Sequence, residues 1–322
     1  MVQILRILGG EKLPEKDVIP TPSWGLNYNL GGGLWSGRFH FMWGNHSGGK
    51  TTFFLKTMAN AQALGYTPII IDAEGSYHDE WGAKNGIDVS KRVYYRTNVV
   101  QDLTKEFPFI DKTYEKYILL IDSVNALVSE KYYDGDRTLA GGATAQKEML
   151  TSVAKYVDPR RSAVFMIAQQ SIHGIGTRIV KPDANMGNAA GHWATNIIKL
   201  NNSTAADNLE RDKDTGTILN KKVTWTIQKC KQAPVEGTKG HYWFDLGNAK
   251  VDMANEVADI AVHNGIIKQS GAWFKWDGEQ YQGLKNLVAA LDEEKIDKIL
   301  SELKGKKVHF DVAPDETLVL GK

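Results

Sequence analysis

Residues 44–51 read Gly-Asn-His-Ser-Gly-Gly-Lys-Thr and complete the pattern G-x-x-x-x-G-K-[ST]. The apolar and aromatic run 38–43 before it predicts a buried strand, and the run 50–64 after it predicts a helix. A strand, a glycine-rich loop and a helix in this order can curl backbone N–H groups around phosphate oxygens, with the positive end of the helix dipole behind them. The alternative is a glycine-rich turn that only opens a helix. The pattern favours a phosphate-binding loop in an α/β fold.

Two side chains of this motif carry chemistry, and a carboxylate further along the chain complements them. We expect Lys50 to neutralise the β- and γ-phosphates of a nucleotide, and the Thr51 hydroxyl to bind Mg²⁺. Asp122 ends the apolar run 117–121, so it lies at the carboxyl edge of a predicted strand, where ligands bind in open α/β sheets. We interpret Asp122 as the carboxylate that orders the hydrated metal; a helix cap is the alternative.

Hydrolysis also requires a group that activates or positions water. Glu74 follows an apolar strand-like run and is the better candidate, while Asp72 is an auxiliary metal ligand or a cap. The alternative is that both are solvated turn carboxylates. Gln169 follows the apolar run 163–168 and is placed to sense a γ-phosphate, although a glutamine at a strand end is usually only a surface residue.

Composition excludes several classes of protein. The single cysteine, Cys230, excludes an internal disulfide and suits a reducing cytoplasm. The net charge of +1 gives no overall positive field, so any contact with nucleic acid must come from local basic loops. The longest apolar runs are too short to span a membrane. The sequence therefore predicts a cytoplasmic protein with no membrane partner.

Alternating apolar and helical segments predict a mostly parallel, twisted sheet with helices on both faces. Later strands without long helices between them predict an antiparallel extension at one edge. We divide the chain into a short leader, 1–17, a core, 18–283, and a small C-terminal helical segment with a tail, 284–322. Two glycine-rich polar stretches, 129–142 and 171–191, interrupt the core and are typical of functional or disordered loops. The strand-like runs are 39–43, 67–72, 117–122, 163–168, 196–200, 223–228 and 242–246.

Taken together, these motifs resemble the RecA family of ATP-dependent recombinases over about residues 18–303. The most specific stretch after the phosphate loop is 265–283, which is similar to the C-terminal segment of that family. The resemblance implies a RecA-like P-loop NTPase core. The other segments that carry it are 21–37, 71–74, 121–127, 166–170, 187–191 and 229–234.

The resemblance implies an ATPase that forms a helical filament on single-stranded DNA and exchanges strands with a homologous duplex. ATP with Mg²⁺ would lie between adjacent protomers. The implied nucleotide-binding residues are Gly44, Asn45, His46, Ser47, Gly48, Gly49, Lys50, Thr51, Thr52 and, against adenine, Trp81. The implied metal ligands are Thr51 and Asp122. The implied catalytic residues are Glu74, Lys50, Gln169 and, acting on a neighbour's nucleotide, Lys229 and Lys231.

The two long stretches would be the DNA loops, where glycine-rich backbone and a few cations follow phosphates without reading sequence. The implied DNA-binding residues are Lys131, Tyr132, Tyr133, Arg137, His173, Arg178, Lys181, Gly187 and Asn188. Two of the implied roles have simpler structural alternatives. A tryptophan on a helix, as at position 81, is more often a core residue, and a lysine pair such as 229 and 231 is often only a solvated strand end.

The chain departs from the family pattern at its ends and in the phosphate loop. We expect a shortened N-terminal element and a tail without a dense acidic end, and His46 and Gly48 are unusual in the loop. Such a pared-down form would suit a virus-encoded recombinase acting in a host cytoplasm. Two other functions are compatible with the core: a hexameric ring motor of the replicative-helicase kind, and an ATP-gated DNA-binding regulator with negligible turnover.

Overall fold

The computed structural model describes residues 15–132, 140–171, 174–175, 178–179, 183–184, 188–202 and 208–303. The chain divides into two compact units. The first comprises Met1–Pro22, Asn27–Asn202 and Ile227–Gly237, and the second comprises Ser23–Leu26, Ser203–Thr226 and Thr238–Lys322. The leader, core and tail predicted from the sequence remain a prediction, and most of the leader lies outside the described residues.

The first unit contains a parallel sheet with the order β11-β3-β7-β6-β4-β5. Runs of apolar residues form these strands because both faces of each strand are buried. The predicted strands are confirmed with small extensions, and the short edge strand β5 was not predicted. The strands are β3 (Phe39–Gly44), β4 (Thr67–Asp72), β5 (Val93–Tyr95), β6 (Tyr117–Asp122), β7 (Ser162–Ser171) and β11 (Ala194–Asn202).

Helices cover both faces of this sheet, as predicted. On one face α4 (Val100–Thr113) and α5 (Ala140–Ala154) pack on a cluster that includes Phe41, Ile69 and Leu119. On the other face, the Phe54 ring of α2 (Lys50–Ala63) stacks on Phe165 with ring centroids 4.7 Å apart. Smaller elements are β1 (Val18–Ile19), α1 (Trp24–Asn29), β2 (Leu34–Trp35), α3 (Asp79–Lys84) and α6 (Asn188–Trp193).

The two glycine-rich stretches contain some regular structure. In the first, a 3₁₀ helix spans Glu130–Tyr132 and α5 begins at Ala140. In the second, β8 (Gly174–Ile175) pairs with β9 (Arg178–Ile179), and β10 (Asp183–Ala184) pairs with the end of β7.

The second unit contains the predicted antiparallel strands. Strand β13 (Ile218–Cys230), whose last four residues fall in the first unit, pairs with β12 (Leu209–Arg211) and β14 (Lys239–Asp245). Strand β14 in turn pairs with β15 (Lys250–Asp252). A separate sheet, which was not predicted, contains β16 (Lys268–Ser270), β17 (Trp273–Trp276) and β18 (Glu279–Gln282).

The second unit also contains the helices α7 (Met253–His263), α8 (Leu284–Ala290) and α9 (Glu293–Leu303). The last two confirm the predicted C-terminal helical segment. Their buried residues, such as Leu287 and Ile299, share an apolar cluster with Phe274 and Trp276 of β17. Within the described ranges, no helix is both long enough and apolar enough to cross a bilayer.

Candidate nucleotide-binding and hydrolytic site

The glycine-rich loop between β3 and α2 needs glycine for two different reasons. A Cβ at Gly44 would lie 1.7 Å from the carbonyl oxygen of Leu200 in the adjacent strand β11, so only glycine fits there. Gly49, at the N-cap of α2, has a φ of 89°, in the left-handed region that favours glycine. A Cβ at Gly48 would lie 2.9 Å from the Asn45 carbonyl oxygen, which accounts for this unusual residue. His46 and Ser47 are exposed, and Thr52 is half-buried on α2.

Lys50 is buried and folds back over the loop. Its ammonium group donates to the carbonyl oxygens of Gly44 at 3.1 Å and Asn45 at 2.7 Å. Burial lowers the pKa of Lys50, and the nearby charges of Asp122 and Glu74 oppose that change. The ammonium is therefore held at the loop by partners that a phosphate can replace.

Thr51 and Asp122, the two predicted metal ligands, are in direct contact. The Thr51 hydroxyl donates to Asp122 Oδ2 at 2.6 Å. Burial raises the pKa of Asp122 to about 6, a bond from Thr51 opposes the rise, and the charges of Glu74 and Asp72 add to it. A buried carboxylate beside a hydroxyl suits Mg²⁺, which binds few protein oxygens together with phosphates and water. Among the described residues, no group of three or more His, Cys, Asp or Glu side chains could hold a metal by itself.

Glu74 lies close to Asp122 and is fixed by two donors. Its Oε1 accepts a bond from the Ser123 hydroxyl and another from Gln169 Nε2 at 2.6 Å. The two strand-end residues that the sequence singled out, Glu74 and Gln169, are therefore in direct contact. Glu74 is exposed, as the alternative of a solvated turn carboxylate requires, but these two donors fix its Oε1.

Asp72 has a different role from Glu74. It is 1% exposed and accepts bonds from the N–H groups of Gly75, Ser76 and Tyr77 at 2.8, 3.1 and 2.9 Å, and from the Tyr94 hydroxyl at 3.0 Å. These contacts fix the turn after β4, in which Glu74 lies. Of the two interpretations of Asp72, the geometry favours the cap over the auxiliary metal ligand.

Two predicted contacts depend on molecules other than this chain. Trp81 is half-buried on α3, and the Lys84 ammonium lies 5.9 Å from the centre of its ring. Lys229 donates to the carbonyl oxygen of Gly191, and Lys231 donates to that of His192 at 3.4 Å, both at the end of α6. Burial and the charge of Lys231 lower the pKa of Lys229. Adenine stacking and action on a neighbour's nucleotide remain predictions.

The predicted DNA-binding residues are only partly described. Lys131 is exposed in the 3₁₀ helix Glu130–Tyr132, Arg178 belongs to β9 and Asn188 begins α6. The remaining predictions fall outside the described residues or, for Tyr132, on a side chain that is not described. Those outside are Tyr133, Arg137, His173, Lys181 and Gly187.

Two residues of the site were missed by the sequence reasoning. Ser123 is completely buried and binds Glu74, and Asn125 Oδ1 accepts the backbone N–H of Gln169 at 2.6 Å. Their signal in the sequence is only that they follow Asp122. The contacts depend on the register of β4 and β6, in which Asp72 is opposite Asp122.

Comparisons with known proteins agree with this geometry. The family model of the RecA N-terminal domain matches residues 3–237. The chain is 30% identical over 288 residues to Protein RecA of Frankia alni, which covers 87% of this chain and 80% of that protein. It is 27% identical over 316 residues to Protein RecA of Azospirillum lipoferum, which covers 94% of this chain and 84% of that protein. Because the likeness extends over most of both chains and includes the phosphate loop, the chain belongs to the RecA family of recombination proteins.

Proposed function

We propose that the protein is a DNA-dependent ATPase that forms filaments on single-stranded DNA and promotes pairing and strand exchange with a homologous duplex. The bond of 2.6 Å between Glu74 and Gln169 carries the proposal. It joins the carboxylate suited to activate water to the strand that leads directly into the stretch 171–191, the proposed second DNA loop. ATP hydrolysis and DNA binding are then linked through Gln169.

ATP would bind with its phosphates in the glycine-rich loop. Backbone N–H groups at the start of α2 favour an anion, and Lys50 would exchange the carbonyls of Gly44 and Asn45 for phosphate oxygens. Thr51 and Asp122 would hold Mg²⁺, since they offer a hydroxyl and a buried carboxylate 2.6 Å apart. When bound, the metal neutralises charge on the β- and γ-phosphates.

Glu74 would accept the proton of the attacking water. As the water oxygen bonds to the γ-phosphorus, the bond from that phosphorus to the bridging oxygen breaks, and ADP and phosphate leave. Ser123 and Gln169 both donate to Glu74 Oε1. Movement of the Gln169 amide to the γ-phosphate would remove one of these two bonds and free the carboxylate to bind water.

The lysine pair supports self-association into a filament. In the family pattern these lysines reach the nucleotide of an adjacent protomer, and here the side chains of Lys229 and Lys231 donate to backbone carbonyls at the end of α6. Such bonds are replaceable by a neighbour's phosphates. We further propose that the protein acts in the cytoplasm; host cytoplasm and viral origin remain predictions from the sequence.

The test is ATP turnover with and without single-stranded DNA, followed by strand exchange between a circular single strand and its homologous linear duplex. We expect DNA to stimulate turnover and Lys50→Ala to abolish it. The matched control is Lys105→Ala, which removes an exposed lysine of α4 and should leave turnover unchanged. Turnover that is the same without DNA would refute the proposal.

Electron microscopy with an ATP analogue distinguishes the other two functions. Filaments that form only with single-stranded DNA support the recombinase. Closed six-membered rings would indicate the hexameric motor instead. DNA binding that requires ATP, together with a Glu74→Gln variant unchanged in every activity, would indicate the ATP-gated regulator.

A further inference from the structure

The end of β7 extends beyond its neighbour β6. The pairing of these strands ends at Ile121 and Met166, whereas β7 continues to Ser171. The N–H group of Gln169 therefore lies beyond the last paired residue of β6. Asn125, in the 3₁₀ helix Val124–Ala126, places its Oδ1 2.6 Å from this nitrogen. The side-chain amide of Asn125 thus accepts the N–H of Gln169, for which a longer β6 would have supplied a backbone carbonyl.

The contact between Asn125 and the backbone of Gln169 also affects the side chain of Gln169. Gln169 is the residue whose side chain binds Glu74 Oε1, and the same oxygen accepts the hydroxyl of Ser123. Asn125 lies two residues after Ser123 on the same turn. One short segment, 123–125, therefore holds the hydrolytic carboxylate directly and holds its second donor through the backbone.

We propose that Asn125 is a positioning residue that fixes the end of β7, so that a change in the stretch 171–191 is transmitted to Glu74 through Gln169. The inference rests on the proposed function and adds a residue to it. Asn125 contacts Gln169 through the main chain. Removing the Asn125 side chain should therefore weaken the coupling between DNA binding and ATP hydrolysis and leave the phosphate loop unchanged.

The test compares Asn125→Ala with Asn125→Asp. Aspartate has the same shape and keeps the acceptor oxygen, and alanine removes it. We expect Asn125→Ala to lower the turnover number with single-stranded DNA about tenfold, the effect of one lost hydrogen bond at a reacting site, with KM for ATP within about twofold. Turnover without DNA should change far less. Asn125→Asp should recover most of the DNA stimulation.

The matched control is Asn264→Ala, which removes a bond of 2.8 Å from an asparagine side chain to the Ile260 carbonyl in the second unit. It should change no kinetic parameter. Binding of a fluorescent ATP analogue to each variant checks that the phosphate loop is intact. If Asn125→Ala does not fold, Asn125→Leu takes its place, because leucine is similar in size to asparagine and lacks the acceptor.

Each of the following outcomes would overturn the inference: equal loss of turnover with and without DNA, an Asn125→Asp variant as defective as Asn125→Ala, or failure of both Asn125→Ala and Asn125→Leu to fold. Full DNA stimulation in Asn125→Ala would also overturn it while the proposed function stood. A wild-type protein without DNA stimulation would refute the proposed function and the inference together.

Discussion

Replacing Asp122 with asparagine should stabilise the nucleotide-free protein while it abolishes binding of the metal–nucleotide complex. Asp122 is 7% exposed and accepts a bond of 2.6 Å from Thr51. Asparagine can accept the same bond through its amide oxygen but carries no charge. The substitution therefore removes an unfavourable buried charge and keeps the local contact. Sites arranged for function often reduce the stability of the protein in this way.

The expected change in the free energy of unfolding follows from the pKa of Asp122. Burial raises the pKa of Asp122 from 3.8 to about 6, which corresponds to about 3 kcal/mol of destabilisation when the carboxylate is charged. The folded state binds the proton more tightly, so this cost is absent below about pH 4, grows between about pH 4 and 6, and is fully present above the folded pKa. We expect Asp122→Asn to gain about 2–3 kcal/mol at pH 8 and almost nothing at pH 4.

The assay is urea unfolding of the full chain in the presence of a metal chelator, at a series of pH values. Asp158→Asn is the matched control because a bond from Arg160 lowers the pKa of Asp158, so that substitution should destabilise the protein at neutral pH. Equilibrium binding of an ATP analogue with Mg²⁺ then measures the loss of function. An Asp122→Asn variant less stable than wild type at pH 8, or a gain independent of pH, would refute the reasoning.

Two further substitutions test the hydrolytic group and the packing of the phosphate loop. Glu74→Gln should lower single-turnover hydrolysis about 10²–10⁴-fold and leave equilibrium binding of ATP nearly unchanged, because it removes only the proton acceptor; weaker binding in step with slower hydrolysis would contradict this. Gly44→Ala should destabilise the nucleotide-free protein by about 3 kcal/mol in thermal unfolding, since its Cβ would lie 1.7 Å from the Leu200 oxygen. Gly216→Ala, with a φ of 70° and open space around it, is the control and should cost only about 1 kcal/mol.

The sequence was most informative where one short segment determines the structure. The strand Tyr117–Asp122 was predicted with its observed bounds. A parallel strand that is buried on both faces forms one continuous apolar run, and the ends of the run mark the ends of the strand. Lys50 and Thr51 were placed correctly because they belong to one loop and the first turn of one helix. Asp122 was predicted to lie at the ligand-binding edge because parallel strands end at a common edge of the sheet, and the structure places it at the end of β6.

Features that depend on register or on distant segments were not predicted. The bond from Ser123 to Glu74 joins residues 49 positions apart, and that from Gln169 to Glu74 joins residues 95 positions apart. Nothing in either segment specifies its partner. The three-stranded sheet β16-β17-β18 also escaped prediction. Its outer strands are short and largely exposed, so they lack the apolar alternation that marks a half-buried strand.

The stretch 171–191 is connected to the site at both of its ends. Before it, Gln169 bonds to Glu74, the proposed hydrolytic group of the same protomer. At its end, Gly191 accepts a bond from Lys229, which in the proposed filament would serve the neighbour's nucleotide. If the conformation of this stretch changes when DNA binds, the change would therefore affect two nucleotides. One is reached through Gln169 and the other through the lysine pair. Because each link is a hydrogen bond that a phosphate can replace, occupancy of either nucleotide site would in turn release one end of the stretch. The proposed filament thus requires that DNA affinity and ATP hydrolysis change together along adjacent protomers.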